Sequence, residues 1–347
     1  MIQPVTMVPL RRCGSHALRL RLSASPDFYS PYPLHLVDFL PLVPLYGDLT
    51  DDATYFQLTL DLLGLQSSSL VKWDGLTFDP IRFFDEIKAQ PRSPHTIAWT
   101  MLMTAARQRG ARVVMDKSLD NVHAWPELLQ LYPNMLFINL VRDPRAQVSS
   151  MNRAIIHEFD TLLNARILVD AFEAVQRLIA AHPDRVVTIR FEDFIADEGR
   201  VVRQLCDFLA LRFLPEMLQI ELSAEAARIA RQSALWESNS SPPIKANVDK
   251  FRATLSPLEI EQIETLAGSV MATYGYETMT DARAEITAST WTEARRRGEE
   301  RKAKAWEDLR RTKPQDYMLR RYRSDFIEGR RQRLLLAQPG AGRKTGS

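Results

Sequence analysis

Two cysteines, Cys13 and Cys206, are all that the 347-residue sequence contains. So few and so far apart, they cannot form a disulfide framework, and neither belongs to a metal-binding pair, so a reducing compartment suits the chain and no metal is expected. Long apolar runs are missing as well. Nothing approaches the roughly 20 residues of a membrane span. The opening residues, MIQPVTMVPL, are strand-like from the start and leave no room for a signal peptide, so a cytoplasmic protein without a membrane partner is the expectation. Glycine is scarce, and no stretch spells G-x-x-x-x-G-K-[ST], the loop that cradles the phosphates of nucleoside triphosphates. That absence counts against a nucleotide kinase or hydrolase.

What is present is an ordinary globular composition, 45% hydrophobic and 25% charged, with enough length to bury a substantial core. Strand-like runs at residues 4–8, 112–116 (RVVMD), 136–141 (LFINLV) and 185–191 (RVVTIRF) are apolar nearly throughout, as strands covered on both faces are. Helical patterns lie between them: HTIAWTMLMTAARQRG with Gly110 as its stop, then DPRAQVSSMNRAIIHEF and TLLNARILVDAFEAVQRLIAAH. The alternation predicts an α/β fold with a central parallel sheet flanked by helices. In such sheets ligands sit beyond the carboxyl ends of the strands.

The segments that follow the strands are rich in cations and hydroxyls. After the first comes PLRRCGSHALRLRL, where Gly14, Ser15 and His16 would put free N–H groups and a helix N-terminus at a strand end, the usual way to build a phosphate cradle. A plain strand–turn–helix is the alternative. After the second comes DKSLDN, and after the third RDPRAQVSS. In the third, Pro144 suits a first helical turn and Ser150 falls about two turns after Arg142, so a guanidinium and a hydroxyl could converge on one phosphate. Pairing of Arg142 with Asp143 is the other reading.

Charge divides the chain unevenly. Residues 281–347 hold 18 Lys and Arg against 10 Asp and Glu, a balance of +8, which leaves −6 for residues 1–280. The segment reads as charged helix broken near Pro314, with Trp291, Trp306, Tyr317, Tyr322 and Phe326 available to pack on the body or on a partner, a second copy of the chain included. Nucleic acid is not the expected partner. The division anticipated is a main domain over 1–280, a charged helical extension over 281–335 and a disordered tail over 336–347.

Taken in order, RRCGSHALRLRLSASPDFYSPYP, MDKSLDNVHAWPELLQLYPNMLFINLVRDPRAQVSSM, RVVTIRFEDFIADEGRVVRQLCDFL and KFRATLSPLEIEQIETLAG resemble the bacterial-type sulfotransferases that use 3′-phosphoadenosine 5′-phosphosulfate (PAPS), a family related to the tyrosylprotein sulfotransferases. The likeness covers most of residues 4–277. It implies a P-loop-like three-layer fold and in-line transfer of a sulfuryl group from PAPS, without a metal, to a hydroxyl or amine of a small-molecule or peptide acceptor. The loop of Arg12, Cys13, Gly14, Ser15 and His16 is similar to the family's 5′-phosphosulfate loop. Arg142 and Ser150 match its 3′-phosphate pair, and Phe191 stands near the adenine where the family often has the Tyr of Y-E-D. Glu192 and Asp193 would shape that loop, and Lys245 or Lys250 would reach the 3′-phosphate. Lys117 is similar to a catalytic lysine and would serve the leaving oxygen together with Arg12.

The catalytic base is where the sequence departs from the pattern. Many relatives carry a Glu about twenty residues after the phosphate loop, but here Tyr32 or Pro33 occupies that place. His35, just beyond, has the titration range of a general base, with Asp38 as its rival and His123 next. His16, His95, His157 and His182 are less well placed. The missing Glu keeps open a catalytically silent sulfotransferase-like nucleotide-binding protein, beside the P-loop kinase that the missing Lys opposes.

Overall fold

The computed structural model describes residues 1–73, 75–219, 225, 227–228 and 248–338. Five parallel strands form one sheet in the order β2-β3-β1-β4-β5, with β1 Gln3–Val8, β2 Phe28–Tyr29, β3 Val113–Asp116, β4 Leu136–Val141 and β5 Val186–Arg190. The central strand is in register with both neighbours, Val5 opposite Met115 on one side and Leu136 on the other. Four strands lie where the apolar runs predict them. The fifth, β2, is only two residues long and pairs with Val113 and Val114, too short to leave a periodic signal.

Alternation along the strands divides the interior into two layers. Val5 and Met7 of β1 and Ile138 and Leu140 of β4 face a cluster with helices α1 Ser15–Leu22, α8 Phe191–Ala196 and α9 Glu198–Phe208. Val8 and Phe137 face the other, built on α2 Asp52–Ser67, α3 Pro80–Ile87, α4 Pro94–Gln108, α6 Pro144–Met151, α7 Thr161–Ala181 and α10 Pro257–Tyr274. The short α5 Trp125–Leu131 leads into β4. Helices on both faces of a parallel sheet make the expected three-layer architecture.

The helix expected over residues 143–159 is shorter than its pattern. It ends at Met151, because the side chain of Asn152 turns to the next helix, donating to Thr161 Oγ1 (2.8 Å) and accepting from Asn164 Nδ2 (2.9 Å). The freed segment brings Ile155 and Ile156 to the wall of a cavity.

The charged extension forms two helices, α11 Ala288–Thr312 and α12 Pro314–Ala337, broken at Pro314 as predicted, and they dock on the body. Phe326 presses on Gly64 of α2, where a Cβ would come within 2.8 Å of its ring, and Leu334 joins the core. Asp61, 3% exposed, accepts from Tyr46, Gln57, Arg330 and Arg333, tying the last turns of α12 to α2. The helix runs to Ala337, so residues 336 and 337 belong to it, while 339–347 lie outside the described residues. Among the described residues no helix is long and apolar enough to cross a membrane.

Candidate active site

The chain leaves β1 at Val8 and reaches α1 through a loop whose backbone enters the left-handed region twice, at Arg12 (φ 72°) and Gly14 (φ 95°). Gly14 is required on two counts. Its φ disfavours a side chain, and a Cβ there would lie 2.3 Å from Phe191 Cδ2. Helix α1 has no side-chain cap and no acidic residue in its first turn, so its amide end faces the loop without a built-in anion.

The β4–α6 unit closes on this loop from the side. Arg12 Nε donates to Ser150 Oγ (3.0 Å), and Arg142 Nη1 donates to the Arg12 carbonyl (3.1 Å). One turn before Ser150, Gln147 Nε2 donates to the Arg11 carbonyl (2.9 Å) and braces the loop from behind. Arg12, Arg142 and Ser150 are therefore brought together. Among the described residues Arg12 makes no ion pair with a carboxylate. Burial, with the neighbouring Arg142 and Arg153, lowers its pKa to about 10, and burial lowers that of Arg142 too. Two desolvated guanidinium groups side by side are a strong anion site.

The other cradle candidates divide. Cys13 is fully buried, its thiol pushed up to about 11 by burial, so its contribution is backbone. Phe191 is 9% exposed, with its ring beneath Gly14 and Arg142 stacked on it at 4.7 Å, so it supports the loop from below. Glu192 accepts from the Asp143 amide (3.0 Å) and the Tyr276 hydroxyl (2.7 Å), which is the shaping role expected of it. Lys250 is exposed on a turn, Lys250–Ala253, that packs against α6. Lys245 lies outside the described residues.

Beside the loop opens a cavity of about 300 Å³, lined by Arg12, Ser15, His16, Tyr32, His35 and Lys117 among others. Lys117, 2% exposed, follows β3 directly, and burial together with Arg19 and Arg11 brings its pKa down to about 7. Neither nearby aspartate pairs with it. Asp116 accepts from the Ser118 amide (2.9 Å) and Asn121 Nδ2 (3.0 Å), and Asp120 pairs with Arg11.

Three rings line up next to Lys117. His16 stacks on Tyr32 at 6.3 Å, and Tyr32 meets His35 edge-on at 5.8 Å. Both imidazoles are held well below the usual histidine range, first by burial and then by the surrounding cations, so both are neutral at neutral pH. The Tyr32 hydroxyl, raised to about 12 by burial, stays protonated. His35 caps a short turn, Leu36–Asp38, at φ 50°, and its amide donates to Ser118 Oγ (3.3 Å). Asp38, also on the wall, is an ion-pair partner of Arg323 (3.0 Å) and Arg11 (3.7 Å). His123 is exposed and off the cavity wall.

Several wall residues carry no signal in their own stretch of sequence, among them Arg11, Arg320, Arg323 and Ile327, while Trp306 stands out there only as an aromatic available for packing. The spacing of Asp316, Arg320 and Arg323 marks one face of α12, but nothing local says that this face meets residues 34–38.

The sequence model of the sulfotransferase family matches residues 4–215, a span that contains the loop, Lys117, Arg142 and Ser150. The chain belongs to the sulfotransferase family. Its fold is similar to that of the sulfotransferase domain of the Synechococcus PCC 7002 olefin synthase (24% identity, TM-score 0.52), a likeness covering 77% of this chain and 95% of that one. A sulfotransferase domain from the curacin biosynthetic pathway is also similar (17% identity, TM-score 0.51), covering 80% and 99%. No curated protein matches the chain in sequence. As a sulfotransferase it carries α11 and α12 beyond the matched span.

Proposed function

We propose that this sulfotransferase moves a sulfuryl group from PAPS to the hydroxyl or amine of an acceptor bound in the cavity. The observation that carries the reading is the pair Arg12 and Arg142, buried together at the amide end of α1 with no carboxylate paired to Arg12 among the described residues. PAPS would supply an activated sulfur whose bond to the 5′-phosphate oxygen breaks as one to the acceptor forms.

Each residue has a distinct task. Arg12, Ser15 and the first amides of α1 hold the 5′-phosphosulfate, and Arg142 with Ser150 holds the 3′-phosphate. Lys117, protonated beside so much negative charge, stabilises the oxygen that becomes anionic. The neutral imidazole of His35 accepts the acceptor's proton, and Tyr32 and Ser118 fix its place. The cytoplasm is the proposed location, as the two lone cysteines suit a reducing compartment.

Calorimetry with adenosine 3′,5′-bisphosphate and with adenosine 5′-phosphate tests the reading. Loss of the 3′-phosphate contacts, roughly 1.5–3 kcal/mol for each charge-assisted bond, should weaken binding by about tenfold or more. Equal affinity would remove the roles of Arg142 and Ser150. Binding of the bisphosphate with no transfer from PAPS to any of a broad panel of alcohols, phenols and amines would point to the silent binding protein instead.

A further inference from the structure

The turn that carries His35 is held from two sides. On one, its amide donates to Ser118 Oγ (3.3 Å), next to Lys117 in the chain. On the other, Arg323 of α12 reaches it across 288 positions of sequence. Its Nη2 donates to the Leu34 carbonyl (3.0 Å), the His35 carbonyl (3.1 Å) and Asp38 Oδ2 (3.0 Å), and the side chain is nine-tenths buried.

His35 needs such holding. Its backbone lies in the left-handed region (φ 50°, ψ 55°), which a residue with a Cβ disfavours. Its ring has little of its own to fix it. Nδ1 is buried and finds no hydrogen-bond partner among the described residues, so no carboxylate orients the imidazole as one does in a serine–histidine–aspartate triad. What aims the ring is the edge-on contact with Tyr32 (5.8 Å) and the course of the main chain. The two carbonyls that Arg323 bonds belong to the two peptide planes that meet at the His35 Cα. Each plane is rigid, so one guanidinium tied to both fixes φ and ψ there, and with them the direction of the Cα–Cβ bond.

We infer that Arg323 is a positioning residue for the base: it clamps the main chain of His35 in the left-handed conformation that presents the imidazole to the cavity. The inference rests on the assignment of His35 in the transferase reading above, and it adds a residue that lies beyond the span of the family match.

The charged and titratable groups on the wall around the ring come from every side. His16 is on α1, Arg11 and Arg12 are in the loop before it, Lys117 follows β3, Arg320 and Arg323 are on α12, and Tyr32 and Asp38 flank His35 in its own segment. Burial first, then Arg11, Arg323, Lys117 and His16, disfavours the imidazolium. Loss of Arg323 should therefore leave two marks, a base aimed less well and a base protonated at higher pH.

Full-length Arg323→Met is compared with the wild type, with PAPS as donor and 4-methylphenol as acceptor. Its kcat should fall about tenfold to a hundredfold while affinity for adenosine 3′,5′-bisphosphate stays within about twofold. The low-pH limb of kcat/KM should move up toward the usual histidine range, and an NMR titration of the His35 ring in the bisphosphate complex, assigned with His35→Ala, should move with it. Arg323→Lys, which keeps the charge, should return the limb. If Arg323→Met fails to fold, Arg323→Gln replaces it with the same expectations. Wild-type kcat and pH profile in a folded variant would overturn the inference. So would a limb that moves as far in Asp61→Asn, since the effect would then be one of helix docking. The NMR signal separates the clamp from the base. A displaced His35 signal in Arg323→Met beside full turnover in His35→Ala would remove the base assignment and keep Arg323 as the residue that sets His35. An unmoved signal beside an inactive His35→Ala would remove the clamp and keep the base.

Discussion

On the side of the cavity formed by the β1–α1 loop, Arg12 and Arg142 lie together with no carboxylate paired to Arg12 among the described residues. On the opposite side Arg11, Arg320 and Arg323 each meet an aspartate. The same side chain serves two ends. A desolvated guanidinium without an acidic partner recruits an anion from solution, whereas one held by a carboxylate and backbone carbonyls acts as a structural clamp. The difference also follows the chain. The first side comes from strand–loop–helix units inside the family match, and the second depends on helices beyond it.

The sharpest division should appear between His35 and Asp38. His35→Ala is expected to lower turnover roughly 10²–10⁴-fold with bisphosphate affinity retained, while Asp38→Asn lowers it far less, as steady-state kinetics and calorimetry would show. Because burial, Arg11, Arg323 and Lys117 keep His35 neutral to unusually low pH, kcat/KM should stay level as pH falls through 6.5 and drop only below it. A dead Asp38→Asn beside an active His35→Ala would move the base to Asp38.

Next in size is Lys117→Ala. Its kcat should fall roughly 10²–10³-fold, with bisphosphate affinity changing by less than about tenfold, since the ammonium matters most as the leaving oxygen gains charge. Equal losses in both would make Lys117 a ground-state anion contact.

A smaller effect distinguishes the two sides by pH. Lys117 titrates near 7 in the free protein, and an anion beside it raises that value, so binding above pH 7 takes up a proton. Bisphosphate affinity should therefore be level below pH 7 and decline above it, by at most about tenfold per pH unit for one proton. Calorimetry in buffers of different ionisation enthalpy measures the uptake directly. None at pH 8 would mean that Lys117 does not face the anion.

The mildest perturbation is Asp61→Asn, remote from the cavity. It weakens the seat of α12, and because Arg330 and Arg333 are 33% and 45% exposed, solvent limits the loss to about 1–2 kcal/mol in denaturant unfolding. Acceptor KM should rise while bisphosphate affinity does not. A fall in bisphosphate affinity would show that the two sides are not separable.

The parallel sheet, the loop after β1, and the placing of Arg142 and Ser150 on one strand–helix unit are legible from the order of residues alone. These follow from short-range geometry: apolar runs become buried strands, a proline opens α6, and eight residues bring Ser150 back to the loop. Tertiary structure alone decided what distant contacts decide. Phe191 lies under Gly14 because the loop approaches it across 177 positions of sequence, α6 stops early because Asn152 bonds to the start of α7, and α12 reaches the His35 turn through contacts some 285 positions apart. No periodicity encodes such meetings. They form where two buried faces and their ion pairs happen to be complementary, and that complementarity exists only once the chain is folded.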